Sequence, residues 1–312
     1  MMGSAAPGRQ GGRLTRRALL RAGALFGIAP HHTVMADEPM MSRPIPATGE
    51  ALPVIGLGTY IAFDVGNSID ETASRAAVLD ALLDAGGSVV DSSPMYNRAE
   101  AVVGDALARN GRRDDCFLAT KVWTDGRASG ERQMQRSAEL MQTDRIDLMQ
   151  VHNRRDLDAH WPTILAAQER GFVRYSGVTD YRESAGAAMQ SLMRRRRPQF
   201  IQINYSLGER GADNGVLPMA RELGIAVLIN RPFMAGALFR AVGNRALPEW
   251  ASDFADSWGQ FFLKFIVSNP AVTCVVPATS KLRHMLDNVG AGFGPLPDNA
   301  TRNRMVDFME SL

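Results

Sequence analysis

The stretch SVVDSSPMY, residues 88–96, decides the fold. Its apolar start has the length of a short buried strand, and Pro94 ends that strand because proline cannot donate to a ladder. Asp91 and Tyr96 are therefore expected at a strand's carboxyl end and in the following loop, where α/β proteins bind ligands. Taken alone, the stretch also fits an Asp that caps a turn and a half-buried Tyr.

Short apolar runs alternate with helically spaced runs along the rest of the chain. The predicted strands cover residues 54–60, 88–91, 116–121, 146–152, 173–178, 200–205, 225–229 and 272–276. The predicted helices cover residues 78–83, 99–108, 131–141, 161–169, 184–195, 217–223, 258–268, 281–289 and 300–309. The strands are apolar on both faces, as parallel strands covered by helices must be.

Eight strands with helices between them predict an α/β protein, a (β/α)8 TIM barrel formed by residues 37–312 as a single domain. That length is close to the ~250 residues of such barrels. A doubly wound dinucleotide fold is the competing architecture, and it requires G-x-G-x-x-G at the start of a helix. The best match, Gly56-Leu57-Gly58, lacks the third glycine and continues as strand. The barrel is therefore favoured.

Residues 1–36 have the pattern of a twin-arginine-type signal peptide. Arg16-Arg17 stands in the segment TRRALLR, a modest apolar run follows, and Val34-Met35-Ala36 offers the small residues that a signal peptidase reads. The apolar run is too short for a lasting membrane span. We expect recognition by the twin-arginine export machinery, cleavage near Ala36 and a periplasmic protein. A basic tail on a cytoplasmic protein is the alternative.

The charge balance gives no reason to expect nucleic acid as a partner. The formal net charge is +2, but residues 1–36 carry five arginines and no acidic residue, so the body of the chain is mildly acidic. Cys116 and Cys274 lie in apolar runs that predict buried structural thiols without a bridge. No metal-ligand spacing is present outside the leader, and no G-x-S-x-G elbow or Cys–His signature is present.

Four polar residues at predicted strand ends form a proton-transfer device: Asp91 and Tyr96 after the second strand, Lys121 at the end of the third and His152 at the end of the fourth. A Lys that closes a buried run needs a charged partner, and Asp91 can supply it. The ammonium is expected to lower the pKa of the Tyr96 phenol. Tyr96 could then protonate a carbonyl oxygen that His152 holds.

At these residues the sequence resembles the aldo-keto reductases, across nearly all of residues 44–290. Their motif D-x-x-x-x-Y-G-x-[SA]-E is matched by Asp91, Tyr96, Asn97, Ala99 and Glu100, with Asn97 in the place of the usual glycine. The family's catalytic Lys and His match Lys121 and His152. The resemblance implies a β/α barrel that reduces aldehydes and ketones with NADPH.

The same resemblance implies a cofactor site for NADP(H), with NAD(H) left open. Gln202 matches the family's nicotinamide-binding glutamine, and Asp180 stands where many members have Asn. Lys281 is a candidate for the 2′-phosphate. The full set of cofactor candidates is Thr179, Asp180, Gln202, Asn230, Arg231, Thr279, Ser280, Lys281, His284 and Asn288. Candidate substrate contacts are Tyr60, Phe63 and Trp123.

The resulting hypothesis is an NADP-dependent enzyme that reduces a small-molecule aldehyde or ketone to an alcohol. The alternative is a cofactor-bound redox-sensing protein of the same fold with little turnover, because a periplasmic enzyme has no obvious NADPH supply. Another barrel enzyme, such as a hydrolase, is a third reading. It lacks a nucleophile or a metal site in this sequence.

Overall fold

The computed structural model describes residues 38–312 apart from residue 67, so the predicted signal peptide lies outside the described residues. The strands are β1 (Ser42–Pro44), β2 (Ala51–Pro53), β3 (Leu57–Gly58), β4 (Val89–Asp91), β5 (Phe117–Val122), β6 (Ile146–Val151), β7 (Val173–Asp180), β8 (Phe200–Asn204), β9 (Ala226–Asn230) and β10 (Cys274–Val275). The α-helices are α1 (Ile69–Asp84), α2 (Ala99–Asn110), α3 (Arg127–Leu140), α4 (Leu157–Glu169), α5 (Gly186–Arg196), α6 (Val216–Leu223), α7 (Ala237–Val242), α8 (Trp258–Val267), α9 (Leu282–Gly290) and α10 (Asn299–Glu310).

Strands β3 to β10 form one parallel sheet in chain order, and its two edges meet. Parallel bridges join Ile55 to Val275 and Gly58 to Ala278. Backbone hydrogen bonds of 2.9 Å run from the Gly56 N–H to the Val275 carbonyl and from the Val275 N–H to the Val54 carbonyl. The closed order of eight strands with intervening helices confirms the predicted (β/α)8 barrel.

The N-terminal hairpin of β1 and β2 covers the amino-terminal end of the barrel. Ile45 and Leu52 are buried in the same apolar cluster as Phe117 and Phe200, which begin β5 and β8. Because residues two apart on a strand share a face, the side chains of this cluster fill the barrel interior. No strand was predicted before residue 54, because the three residues of β1 and of β2 are too few to show a strand period.

Several boundaries differ from the predicted ones. Helix α1 begins at Ile69, well before Val78, because Ser68 caps it by accepting the Glu71 N–H. The early turns carry polar residues, so apolar spacing alone did not reveal them. Helix α7 lies between the predicted strand 225–229 and the predicted helix 258–268, where no helix was predicted. The first predicted strand, residues 54–60, is shortened to β3, and Ile55 before it forms an isolated bridge to Val275.

Between the strands and the surrounding helices, a larger apolar cluster packs the helices onto the outer face of the barrel. Cys116 and Cys274 are both free and buried, as predicted. Burial raises the pKa of Cys116 to about 12 and raises the pKa of Cys274 as well, so both remain thiols. Within the described part of the chain, no helix combines the length and the apolar character that crossing a membrane requires.

Candidate active site

The four predicted catalytic side chains meet at the carboxyl end of the barrel. Asp91 is the last residue of β4, Lys121 lies near the end of β5, and His152 directly follows β6. Tyr96 ends a short 3-10 turn at 94–96, which Ser93 caps by accepting the Met95 N–H at 3.2 Å. Strand register and the two-residue period bring the β4 and β5 side chains onto the inner face of the barrel.

Asp91 and Lys121 form a buried ion pair. The Lys121 Nζ lies 2.7 Å from Asp91 Oδ2 and donates at 2.6 Å to the Ser92 carbonyl. The same Nζ lies 5.2 Å from the ring centre of Tyr96. Burial alone would lower the pKa of Lys121, but the negative charge of Asp91, with a further contribution from Tyr96, raises it. The side chain is therefore an ammonium beneath the phenol.

The expected lowering of the Tyr96 pKa does not occur in the structure without ligands. Burial is the largest influence and raises the pKa of the phenol, Lys121 opposes it, and Asp91 adds to the rise. The outcome is a pKa above the ordinary value near ~10. Tyr96 is therefore protonated at neutral pH. The ammonium limits the rise and is in position to stabilise the phenolate once a proton leaves.

His152 is a neutral ring. Burial first and Lys121 second lower its pKa to about 3. Its Nδ1 lies 3.0 Å from Ser93 Oγ. Its ring meets Tyr96 edge-on at 5.9 Å and Trp123 at 5.0 Å between centroids. A neutral imidazole has one N–H, which is available for one carbonyl oxygen.

Gln150 belongs to this site, although the sequence reading missed it. Its Nε2 lies 3.3 Å from Asp91 Oδ1, and its Oε1 is buried without a hydrogen-bond partner in the described structure. Gln150 pairs with Lys121 across β5 and β6. The signal was available in the sequence, because Gln150 precedes His152 by two residues and such residues share a strand face.

The tetrad is formed by Asp91, Tyr96, Lys121 and His152, and two amide side chains on later strands of the barrel have buried polar atoms without partners among the residues described. Gln202 on β8 has no acceptor for its Nε2, and Asn230 at the end of β9 has no donor for its Oδ1, among the residues described. Buried polar groups are normally hydrogen-bonded. One unpaired donor and one unpaired acceptor at adjacent strand ends, Asn204 and Asn230 being register partners, fit a ligand that carries an amide, such as nicotinamide. Thr179 pairs in register with Gln202 and accepts the Asn153 N–H at 3.3 Å.

Asp180 is held by two arginines. Arg154 reaches Oδ2 at 2.8 Å, and Arg182 reaches Oδ1 at 3.0 Å and Oδ2 at 2.8 Å. Burial would raise the pKa of Asp180, but the hydrogen bonds from Arg182 and Arg154 outweigh it and lower the pKa. This carboxylate thus anchors two arginines, and the sequence reading gave no sign of either partner.

The candidate cofactor residues after β10 lie before α9 and on it, from Thr279 to Asn288. Thr279 Oγ1 accepts the Lys281 N–H at 3.1 Å, Ser280 is half-buried, Asn288 is buried, and the Lys281 side chain is exposed. Burial, Arg283 and Lys281 lower the pKa of His284, in that order. The loop after β9 begins with Arg231, whose guanidinium lies 5.7 Å from the Tyr181 ring centre.

The candidate substrate residues separate into two groups. Tyr60 is 52% exposed and meets the Tyr96 ring at 5.0 Å. The Trp123 ring contacts the His152 ring. The Arg155 guanidinium lies 4.8 Å from the centre of the same Trp123 ring. Phe63 is fully buried in the helix-side core and presents no surface to a substrate, which corrects its assignment. An apolar residue after the first strand can face either side, and the sequence did not decide which.

Comparison with known proteins agrees with this geometry. The model of the aldo/keto reductase family matches residues 54–303. A methylglyoxal reductase of Escherichia coli is 26% identical over 259 residues, which cover 80% of this chain and 89% of that protein. An aldo-keto reductase of Bacillus subtilis is 31% identical over 216 residues, 61% of each chain. An aldo/keto reductase of Klebsiella pneumoniae, solved with NADP and acetate, has a TM-score of 0.72 at 24% identity and is similar over 84% of this chain and 93% of its own.

Proposed function

The chain belongs to the aldo/keto reductase family, and from that premise we propose that it reduces an aldehyde or ketone to an alcohol with NADPH. The observation that carries the proposal is the buried Asp91–Lys121 ion pair beneath the protonated Tyr96 phenol. Such a pair stabilises the phenolate that remains after Tyr96 gives up its proton.

The cofactor would be held by side chains at successive strand ends. Gln202 and Asn230 offer the unpaired donor and acceptor that suit a carboxamide, and Lys281 and Thr279 would bind the 2′-phosphate. When bound, the dihydronicotinamide supplies a hydride. Tyr96 would donate its phenolic proton to the substrate oxygen and become a phenolate. The Lys121 ammonium would stabilise that phenolate, and Asp91 keeps the lysine charged.

The proposed substrate is a small carbonyl compound that reaches Tyr96 between the exposed Tyr60 ring and Trp123. Two aromatic faces favour an apolar or short substrate chain. The name of the Escherichia coli relative makes methylglyoxal a reasonable first compound to test.

The deciding assay is NADPH oxidation by the purified chain with a panel of aldehydes that includes methylglyoxal. Tyr96→Phe should reduce kcat by about 10²–10⁴-fold, the usual contribution of a positioned acid. Tyr175→Phe is the matched control, because Tyr175 bonds Thr48 and Glu50 away from the strand ends that carry the tetrad. Equal rates in wild type and Tyr96→Phe would overturn the catalytic assignment. Tightly bound NADP(H) with negligible turnover would favour the redox-sensing alternative.

We also propose that the chain is exported by the twin-arginine route and cleaved near Ala36. The support is the TRRALLR segment followed by an apolar run and small residues, and the route's capacity for folded proteins suits an enzyme that binds its cofactor before export. Fractionation of cells with N-terminal sequencing tests it. Replacing Arg16 and Arg17 by Lys should leave an uncleaved cytoplasmic protein. Periplasmic protein that still carries Met2 or Gly3 would contradict cleavage.

A further inference from the structure

The Ser93 hydroxyl lies between the turn that carries Tyr96 and the ring of His152. Ser93 is fully buried. Its Oγ accepts the Met95 N–H at 3.2 Å and lies 3.0 Å from His152 Nδ1, and these are the hydroxyl's hydrogen bonds among the described residues. The first contact uses the oxygen as an acceptor. The second contact is the remaining place for the hydroxyl hydrogen.

The position of one proton follows from this arrangement. If His152 carried its proton on Nδ1, the Ser93 oxygen would accept two N–H groups and its own O–H would be buried without an acceptor, which is costly. If Nδ1 is unprotonated, the O–H donates to it and every group is satisfied. The second arrangement puts the single proton of the neutral ring on Nε2.

We propose that Ser93 is a positioning residue that fixes His152 in the tautomer with its proton on Nε2, so that the ring is a hydrogen-bond donor to the substrate oxygen. This inference rests on the proposed carbonyl reduction for its consequence, although the tautomer itself exists without substrate. Nε2 has no hydrogen-bond partner in residues 38–312 as described. A donor at that atom would stabilise the negative charge that develops on the substrate oxygen.

The tautomer of His152 must be fixed by a neighbour such as Ser93 because the ring is neutral. A protonated ring would donate from both nitrogens, but burial and the Lys121 ammonium keep the second proton off. With one proton, the ring is either a donor or an acceptor toward the substrate. A free histidine side chain favours the proton on Nε2 only modestly, so a fixed acceptor role for Nδ1 makes that tautomer the dominant one.

The tautomer can be read directly by NMR of the ligand-free protein labelled with 15N-histidine. We expect unprotonated Nδ1 and protonated Nε2 at His152 in the wild type and in Ser93→Thr, and a mixture of tautomers in Ser93→Ala. His160 is an internal reference, because its Nε2 lies 2.8 Å from the Thr124 carbonyl and its Nδ1 is unpaired. Its signals should remain unchanged in every variant. A proton on Nδ1 in the wild type, or an unchanged tautomer in Ser93→Ala, would overturn the proposal.

Kinetics separate this role from simple capping of the turn. Ser93→Ala should lower kcat/KM for a carbonyl substrate about threefold to tenfold, the effect of one neutral hydrogen bond, and Ser93→Thr should restore it. The alkaline limb of kcat, which reports Tyr96, should stay in place. Ser176→Ala is the matched control, because it removes a buried strand hydroxyl that bonds Gln199. A shifted alkaline limb with an unchanged tautomer would assign the loss to the turn and overturn the proposal. The expected tautomers in a protein that reduces no carbonyl would count against the proposed function alone.

Discussion

At the scale of single residues, burial and charge act on Tyr96 in opposite directions. Burial raises the pKa of the phenol more than Lys121 lowers it. Reduction requires the protonated phenol, and a raised pKa moves deprotonation to higher pH. Activity should therefore hold through neutral and mildly alkaline pH and decline only above about pH 10, the ordinary tyrosine value. A pH profile of kcat measures this, and a decline beginning near pH 8 would contradict it.

Removal of the Lys121 ammonium should impair both chemistry and folding. Lys121→Met leaves Asp91 buried without its ion-pair partner, which should lower the free energy of unfolding by about 3–5 kcal/mol. It should also reduce kcat by about 10²-fold or more, because the phenolate loses its counter-charge. Lys264→Met is the matched control. Lys264 is buried and donates to two backbone carbonyls. Its replacement should therefore reduce stability and leave kcat of the folded protein unchanged.

His152 should make the protein less stable in acid. Its pKa is about 3 in the folded chain against about 6.5 unfolded. Between these values the unfolded chain binds the extra proton, so the free energy of unfolding falls as pH falls below 6.5. From pH 7.5 to pH 5 this contribution is about 2 kcal/mol. In urea titrations, the free energy of unfolding of His152→Gln should fall by about 2 kcal/mol less than that of the wild type between pH 7.5 and pH 5. Parallel pH dependences would refute the assignment.

The sequence predicted that Asp91, Lys121 and His152 meet, because they stand at the carboxyl ends of neighbouring barrel strands, and it placed Tyr96 in the loop that follows the first of them. It did not predict the contacts made by loop residues. Asn153 and Arg154 adopt left-handed backbone conformations with φ of 52° and 59°, and these conformations aim Arg154 at Asp180. Patterns of apolar residues carry no information about such conformations. The same limit hid the contact between Ser93 and His152.

At the scale of elements, the N-terminal hairpin closes the amino-terminal end of the barrel, because Ile45 and Leu52 pack against the residues of its interior. This hairpin is called the plug below. Ile45→Ala should lower the free energy of unfolding by about 2–5 kcal/mol, the range for a large-to-small core substitution. Its kcat should be unchanged, because the plug lies at the end of the barrel opposite the tetrad. Ile69→Ala is the matched control at a position 76% exposed, and it should change stability by less than about 0.5 kcal/mol. Chemical denaturation compares them.

Helix α2 packs closely against the end of α3 at Gly104, because glycine has no side chain to hold the two backbones apart. A Cβ at Gly104 would stand 2.2 Å from the Leu140 carbonyl oxygen. Gly104→Ala gains about 1 kcal/mol of helix propensity, yet it should be destabilising by about 1–3 kcal/mol because backbone must move. Gly186→Ala has only Val216 at 3.9 Å and should be neutral or stabilising. Thermal unfolding of the pair is the measurement, and a stabilised Gly104→Ala would disprove the close contact.

Element order was predictable, whereas element length was not. Eight strands and their helices appear in the predicted order because each apolar run is bounded by turn residues. The start of α1 depends on the Ser68 cap rather than on periodicity. Strand β10 has two residues, fewer than the predicted strand 272–276, and it is defined by its pairing with β9 and by the bridge from Val275 to Ile55.

At the scale of the whole molecule, a bound nucleotide should stabilise the barrel as one unit. NADPH at a hundred times its Kd should raise the free energy of unfolding by about 2.7 kcal/mol. Lys281→Met should weaken this effect for NADPH and leave that of NADH unchanged, because only the former has a 2′-phosphate. Thermal shifts with each nucleotide compare the two. Equal losses for both nucleotides would remove the specific role of Lys281.

Barrel closure also determines when the chain can fold during its synthesis. The hairpin residue Arg43 donates to the Val272 carbonyl, 229 residues further along the chain. The β-bridge of Ile55 likewise forms only after Val275 has been synthesised. At roughly 5–20 residues per second, ribosomes take on the order of ten seconds or more between them. Throughout that interval the edge of β3 that later faces β10 lacks its partner. A newly made chain of this kind should therefore depend on chaperones, and its protease resistance should arise late and abruptly.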